Sequence, residues 1–479
     1  MPQPHRPLHR TASAVAVALA AGLLAVTPAH AAPAPASGGQ NNGRSDVNGD
    51  GYGDLVTASE VAVAGASGAG AIVVNTGSSS GISADRSEIV TQDSPGVPGA
   101  SEANDRFGSA LATGDLNGDG YTDIVAGTPH EKVGDDVDGG TVAVLWGSKS
   151  GVDGGTTLPD PAPGAHDLFG NRLAVGDFDG DDRPELAVGT GSDDVWIFEG
   201  VSESGAAGHR GLQTDIVADS SEYYRSLAAG DFDGDGRDDL VVGGRYDKDG
   251  SFDGATLVYP GATTTYTALP DEAHTAATGD FDGDGRDDLV LGSPDDNAVT
   301  AYTGGAEGLT ASTRRTLTQD SPGVPGTDEP EDAFGEAVAA GDVDGDGYDD
   351  VAVGVEFETV GSVPNTGEVV VLRGSADGLT GTGSQVVHQG TEGVPGANEP
   401  YDRFGSAVRL TDTDRDGHAD LAAAAPMENT SNGALWSLRG SADGVISSHA
   451  VSFSAATAGL SKEPYTYFGR SMPTSAHGS

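Results

Sequence analysis

Apolar residues in this chain fall in short runs rich in valine, leucine and alanine, and glycine ends many of them. Leu240-Val-Val-Gly243, Thr141-Val-Ala-Val-Leu-Trp-Gly147, Thr256-Leu-Val-Tyr259, Glu368-Val-Val-Val-Leu372 and Ala434-Leu-Trp-Ser-Leu438 have the length and content of strands. The polar residues between the runs are ordered too. In Asp231-Phe-Asp-Gly-Asp-Gly-Arg-Asp-Asp-Leu-Val-Val-Gly243 carboxylates hold the first, third, fifth and ninth positions, after which the run turns apolar. The same run starts at Asp46, Asp115, Asp177, Asp231, Asp280, Asp342 and Asp412, at intervals of 49 to 70 residues. Seven copies at that spacing predict a solenoid or a propeller.

A short segment precedes each acidic run and often contains Phe-Gly, as in Phe107-Gly108, Phe169-Gly170, Phe334-Gly335 and Phe404-Gly405. Tyr224-Arg-Ser-Leu-Ala-Ala-Gly230 and His274-Thr-Ala-Ala-Thr-Gly279 hold the same place without that pair. Nothing before Asp46 can play the part, whereas Tyr467-Phe-Gly-Arg-Ser471 has no acidic run after it. Two more strand signals follow each acidic run, so a repeat holds four strands, the content of one propeller blade. The expectation is an all-β fold: a seven-bladed β-propeller of four-stranded blades, closed by a C-terminal strand that completes blade 1 and removes exposed sheet edges.

Carboxylates at alternate positions of a tight loop can converge on one hard cation, and calcium takes six to eight oxygens at about 2.3–2.6 Å. Side chains at the first, third, fifth and ninth positions and the carbonyl of the seventh are the expected ligands. They are Asp46, Asn48, Asp50, Tyr52 and Asp54; Asp115, Asn117, Asp119, Tyr121 and Asp123; Asp177, Asp179, Asp181, Arg183 and Glu185; Asp231, Asp233, Asp235, Arg237 and Asp239. The remaining loops supply Asp280, Asp282, Asp284, Arg286 and Asp288; Asp342, Asp344, Asp346, Tyr348 and Asp350; Asp412, Asp414, Asp416, His418 and Asp420. An EF-hand would need a glutamate at the twelfth position and a flanking helix. Here the twelfth residues are Thr57, Ala126, Val188, Val242, Leu291, Val353 and Ala423, all within strand-like runs, so the loop joins two strands. The run at Asp177 has Asp182 for the turn glycine and Glu185 for the closing aspartate, and is expected to be the weakest site.

The formal charge of −50 agrees with this reading, because the acids sit at fixed offsets rather than in blocks. An acidic surface disfavours nucleic acid and anionic lipid as partners. Residues 1–31 have a weakly basic start, an apolar stretch from Ala14 to Val26 and Ala29-His-Ala31, the pattern of a secretory signal peptide. Residues 32–44 are a flexible lead-in, and 45–479 form one propeller. No stretch is long enough to insert in a membrane. The chain has no cysteine, which excludes a thiol nucleophile, a disulfide framework and a zinc-thiolate site.

The order Phe-Gly, acidic run, Val-Gly or Ala-Gly, Gly-rich hairpin resembles the FG-GAP repeat of integrin alpha-chain N-terminal propellers and of bacterial secreted FG-GAP or VCBS-type proteins, over essentially all of residues 45–471. The resemblance implies metal loops on a lower face and partner-contacting loops on an upper face. It departs from the family in the two blades without Phe-Gly and in the run at Asp177.

Other candidate chemistry is weaker. Gly77-Ser-Ser-Ser-Gly81 fits the G-x-S-x-G of serine hydrolases, but Gly147-Ser-Lys-Ser-Gly151 and its counterparts at Gly374 and Gly440 mark it as a turn. Asp105, Asp167, Asp332 and Asp402, each two residues before Phe, are expected to cap turns rather than to act as acid and base. The expected function is that of a secreted, monomeric, calcium-binding module, non-enzymatic, for adhesion to an extracellular protein or glycan. The alternative is a secreted hydrolase or lyase with calcium as Lewis acid. Blades 6, 7, 1 and 2 carry the long loops, including Gln92-Asp-Ser-Pro-Gly-Val-Pro-Gly99, Gln319–Gly326 and Gln389–Gly396; two readings stand, a partner wall bearing Tyr401, Glu131 and Glu356, with Asp295 on the trimmed side, or loops that merely cover the blade tops.

Overall fold

The computed structural model describes residues 1–2, 45–62, 65–214, 216–217, 226–248, 251–460 and 465–475. Contacts divide the chain into two units, Met1–Gly39 and Gln40–Ser479, and everything below concerns the second. Apart from its first two residues the expected signal peptide, like the lead-in at 32–44, lies outside the described residues.

Seven antiparallel sheets form the blades of a β-propeller. Blade 1 contains Leu55–Ser59, Ala71–Asn75 and Ser87–Val90, and blade 2 Ala110–Gly114, Asp123–Thr128, Thr141–Ser148 and Gly151–Leu158. Blade 3 contains Leu173–Gly176, Glu185–Gly189, Asp194–Glu199 and Gly208–Gln213. Blade 4 contains Ser226–Gly230, Asp239–Lys248, Ser251–Tyr259 and Thr267–Leu269, with Ile216–Val217 paired to its long second strand. Blades 5, 6 and 7 begin with Thr275–Gly279, Phe334–Gly341 and Ala407–Thr411 and end with Arg315–Leu317, Thr380–Val387 and Ile446–Ser454. Second strands such as Asp350–Val355 and Asp420–Ala425 are buried throughout, because neighbouring blades cover both faces; outermost strands such as Gly208–Gln213 mix exposed and buried positions.

The core therefore lies between blades. Val290, Val299 and Leu317 of blade 5 join Val351, Val353 and Val370 of blade 6 in one cluster. Phe107, Phe169, Phe334, Phe404 and Phe468 are fully buried in such seams. The glycines of the repeat allow backbone to touch backbone across the same seam. A Cβ on Gly127 would lie 2.0 Å from the carbonyl oxygen of Gly170, so no side chain fits there.

The expected closure is present, and more elaborate than a single strand. Gly469 N–H donates to Ala58 O at 3.2 Å and Ala58 N–H to Ser471 O at 2.9 Å, so these C-terminal residues line the inner edge of blade 1. At the other end of that edge Ser45 O accepts the Asp54 N–H at 2.7 Å. The innermost strand of blade 1 is thus a composite of both ends of the described propeller. Beyond Ser471 the chain leaves blade 1, and Thr474–Ser475 pairs in parallel with Ala112 and Thr113 of blade 2.

Candidate metal centres

Every acidic run joins the first and second strands of a blade, so all seven loops lie at one end of the ring. The first aspartate of each is turned inward upon the backbone. Asp231 Oδ1 accepts from Gly234 and Asp235 N–H, and Oδ2 from Gly236 N–H, at 2.8–3.1 Å. The fifth residue accepts the seventh residue's N–H in every loop, as in Asp284 with Arg286 at 3.0 Å. These short side-chain turns use one set of lone pairs and leave the others converging. Oxygens of Asp177, Asp179, Asp181 and Glu185 lie within 4.8 Å of one another, as do those of Asp280, Asp282 and Asp288, of Asp231, Asp233 and Asp235, and of Asp342, Asp344 and Asp346. An all-oxygen, carboxylate-rich set fits a hard divalent cation.

The ninth acid is buried, and in loops 1, 2, 5, 6 and 7 backbone N–H groups hold both of its oxygens. Asp288 accepts Phe281 N–H at 3.0 Å and Gly304 N–H at 2.8 Å, and Asp54 and Asp123 repeat the pattern. Burial, reinforced by the neighbouring loop acids, pushes Asp54, Asp123, Glu185, Asp239 and Asp288 up to about 7 against the pull of those N–H donors.

The loops differ in what stands beside the carboxylates. In blade 6 Arg373 Nη1 lies 3.0 Å from Asp344 and 2.7 Å from Asp350. In blade 7 Arg439 pairs with Asp414, whose other oxygen is buried without a partner. Both arginines precede the glycine that ends the third strand, and blade 3 has Glu199 there. Loop 3 thus gains an acid, while Asp182 bears a φ of 65° in the glycine's place, a conformation costly for a side chain.

The eighth residue was not singled out by the sequence, yet it ties the blades together. Its N–H donates to the carbonyl of the first aspartate in the preceding blade's loop: Thr122 to Asp46, Asp238 to Asp177, Asp287 to Asp231, Asp349 to Asp280, Ala419 to Asp342 and, across the seam, Gly53 to Asp412. Where the eighth residue is aspartate its carboxylate also accepts that aspartate's N–H, at 2.8 Å for Asp238, 3.0 Å for Asp287 and 3.2 Å for Asp349. The break in this ring is Pro184, which has no N–H to offer Asp115. The signal was present as the Asp-Asp pair, but its partner lies one blade away.

Gly77–Gly81 is a turn after a strand, with Ser79 exposed. Asp105, Asp332 and Asp402 each accept a backbone N–H three residues before them, at 2.6, 3.0 and 3.2 Å, the turn role expected; Asp167 is exposed.

A ring of four-stranded blades with a carboxylate loop between the first two strands of each defines an acidic-loop β-propeller. More narrowly, the chain carries FG-GAP repeats and is similar to integrin alpha chains. The FG-GAP repeat matches residues 107–145, 273–306, 334–372 and 404–438, and the FG-GAP-like repeat matches 177–242. Integrin alpha pat-2 of Caenorhabditis elegans is 30% identical over 262 residues, 49% of this chain and 21% of the relative. Human integrin alpha-7 is 33% identical over 142 residues, 29% of this chain and 12% of the relative. Phosphatidylinositol-glycan-specific phospholipase D of Rattus norvegicus is 31% identical over 157 residues, 29% of this chain and 18% of the relative. The chain therefore covers about a fifth or less of the length of these relatives. No helix among the described residues is long and apolar enough to cross a membrane.

Proposed function

We propose that the chain is an exported, calcium-stabilised propeller acting as a monomeric binding or adhesion module for an extracellular protein or glycan. Residues 1–31 serve as its signal peptide, 45–479 as the propeller, and the five positions named in each acidic loop as calcium ligands. The converging carboxylates support the calcium reading, and the two kinds of relative named integrin and phospholipase D are compatible with work outside the cell. Calcium would supply charge neutralisation and hold each loop closed; Arg373 and Arg439 occupy part of that role in blades 6 and 7.

The observation that carries the binding reading is where apolar side chains meet solvent. Among the described residues of the propeller, Val133 (39% exposed), Val137 (66%), Tyr401 (59%) and Tyr465 (59%) stand on loops at the end opposite the acidic runs, in blades 2, 7 and 1, whereas Tyr266 (40%) stands at the acidic end of blade 4 and Val451 (36%) on the outermost strand of blade 7. Aromatic anchors on long loops of a rigid scaffold are the usual makings of an interface. Glu131 and Glu356, expected on that wall, are instead tied inward, Glu131 to Gln92 at 2.8 Å and Glu356 to Arg403 at 3.1 Å. The test is an array of extracellular proteins and glycans, followed by Tyr401→Ala, Tyr465→Ala and Val137→Ser, with Asp295→Ala as control. Binding should fall at least about tenfold for a central tyrosine; loss through Asp295 alone would move the site elsewhere.

The alternative, a secreted hydrolase or lyase, has one favourable observation. The central channel, about 750 Å³, opens at the same end among Glu60, Arg106, Glu336, Glu356, Arg403 and Arg470. Burial and the neighbouring Glu356 push Glu336 up to about 7, suitable for an acid at neutral pH.

A further inference from the structure

Three blades carry a second set of carboxylates, at the end opposite the acidic loops. A glutamine is followed by a glutamate ten residues on, an aspartate thirteen on and a glutamate thirty-nine on: Gln92, Glu102, Asp105 and Glu131; Gln319, Glu329, Asp332 and Glu358; Gln389, Glu399, Asp402 and Glu428. The first three of each set lie on the long connection entering blade 2, 6 or 7, and the fourth opens that blade's own hairpin.

The geometry repeats with the spacing. Oxygens of Glu102, Asp105 and Glu131 lie within 4.8 Å of one another. In all three blades the glutamine Nε2 donates to the last glutamate, at 2.8, 2.9 and 2.6 Å. The glutamines are buried, 4%, 2% and 1% exposed, and Oε1 of each has no hydrogen-bond partner. A buried acceptor without a donor is costly, and here it sits beside a group of acids with no donor left for it. One cation satisfies the orphaned oxygen and the mutual repulsion together.

We propose that these are three further calcium sites, each ligated by the glutamine Oε1 and by oxygens of the two glutamates and the aspartate. Glutamine carbonyls and carboxylates are ordinary calcium ligands. Calcium accepts six to eight oxygens in a flexible arrangement, whereas magnesium demands a near-ideal octahedron, so a mixed set of one amide carbonyl and three carboxylates from two loops suits calcium. Glu102, Glu329 and Glu399 are exposed and the aspartates buried, which leaves an entry from solvent. Blade 1 lacks the set: Ala62 has the hairpin place of Glu131, Glu358 and Glu428, each accepting the N–H of the glycine that closes its hairpin. Bound calcium would pin each long connection to the hairpin beneath it, giving the exposed loops a fixed shape. This inference does not depend on the acidic loops binding metal.

The test is to count calcium bound to the intact protein, by equilibrium dialysis and native mass spectrometry, against Glu131→Gln/Glu358→Gln/Glu428→Gln. Three fewer ions are expected in the variant, whatever number the acidic loops hold. Equal counts with both proteins folded would overturn the proposal. If the triple variant does not fold, crystals of the wild-type protein grown with calcium decide: an anomalous peak at each cluster supports the sites, and clusters without peaks overturn them. Peaks at the clusters but none in the acidic loops would leave this inference standing and remove calcium from the loops.

Discussion

The ninth acid of each loop combines two demands that a single side chain rarely meets. In five of the loops its oxygens anchor both the second residue of its own loop and the glycine ending the third strand, and that anchoring requires burial. Burial in turn raises its proton affinity, to about 7 in Asp54, Asp123, Asp239 and Asp288, while the same groups in an unfolded chain titrate near about 4. Between those values the folded protein holds more protons than the unfolded chain, so its stability is greatest at low pH in that window and falls as pH rises through it. In EDTA the melting temperature should therefore be higher at about pH 5 than at about pH 8. Calcium binds the deprotonated form, so its addition should raise melting far more at the higher pH. At free calcium 100-fold above the dissociation constant each site contributes about 2.7 kcal/mol. Calorimetry in the two buffers checks this, and melting indifferent to EDTA and calcium at both pH values would remove calcium from the loops' role in stability.

At the scale of the strand and loop, one backbone hydrogen bond is repeated from blade to blade, and its omission at Pro184 singles out the seam between blades 2 and 3. Pro184→Asp would supply the missing N–H and the carboxylate that Asp238, Asp287 and Asp349 use. The gain expected is about 0.5–1.5 kcal/mol, read as a higher melting temperature; a drop would mean that proline's rigidity in loop 3 is worth more than the bond. The contrast also explains what could be read in advance. Asp231, Asp233 and Asp235 act on atoms a few residues away, so their spacing announced the loop and its strands. Asp238 acts on Asp177, 61 residues off, and Gln92 on Glu131, 39 residues off, so neither purpose is visible until strands are placed side by side. The Gln-x-Ser-Pro-Gly-Val-Pro-Gly stretches at Gln92 and Gln319 were conspicuous, but they read as loop because nothing local revealed the orphaned amide oxygen.

For the whole molecule the decisive place is the composite inner edge of blade 1. Arg409 lies beside it, where the corresponding residues of other blades are Ala112, Ala174, Ala228, Ala277 and Ala339. It is 4% exposed and donates to Pro473 O at 3.1 Å and Ser45 Oγ at 3.4 Å, grasping both ends of the propeller. Burial, with no acid opposing it, lowers its affinity for its proton, to about 10. Arg409→Ala should cost about 1–3 kcal/mol by unlatching both ends. Removing residues 464–479 should cost more, since the buried Phe468 ring alone is worth about 3–5 kcal/mol and the sheet edge is bared as well. A soluble truncated protein with unchanged melting would show that the ring does not need its last residues. Ser59 and Thr466 share a hydrogen bond although 407 residues separate them. Ring closure must therefore wait until nearly all of the propeller has been synthesised. A chain broken off before residue 468 would carry most of its blades and still present an unpaired strand above an empty aromatic socket. The seam thus makes the first blade depend on the last strand to be made: only a chain carried through to these residues can hide that edge.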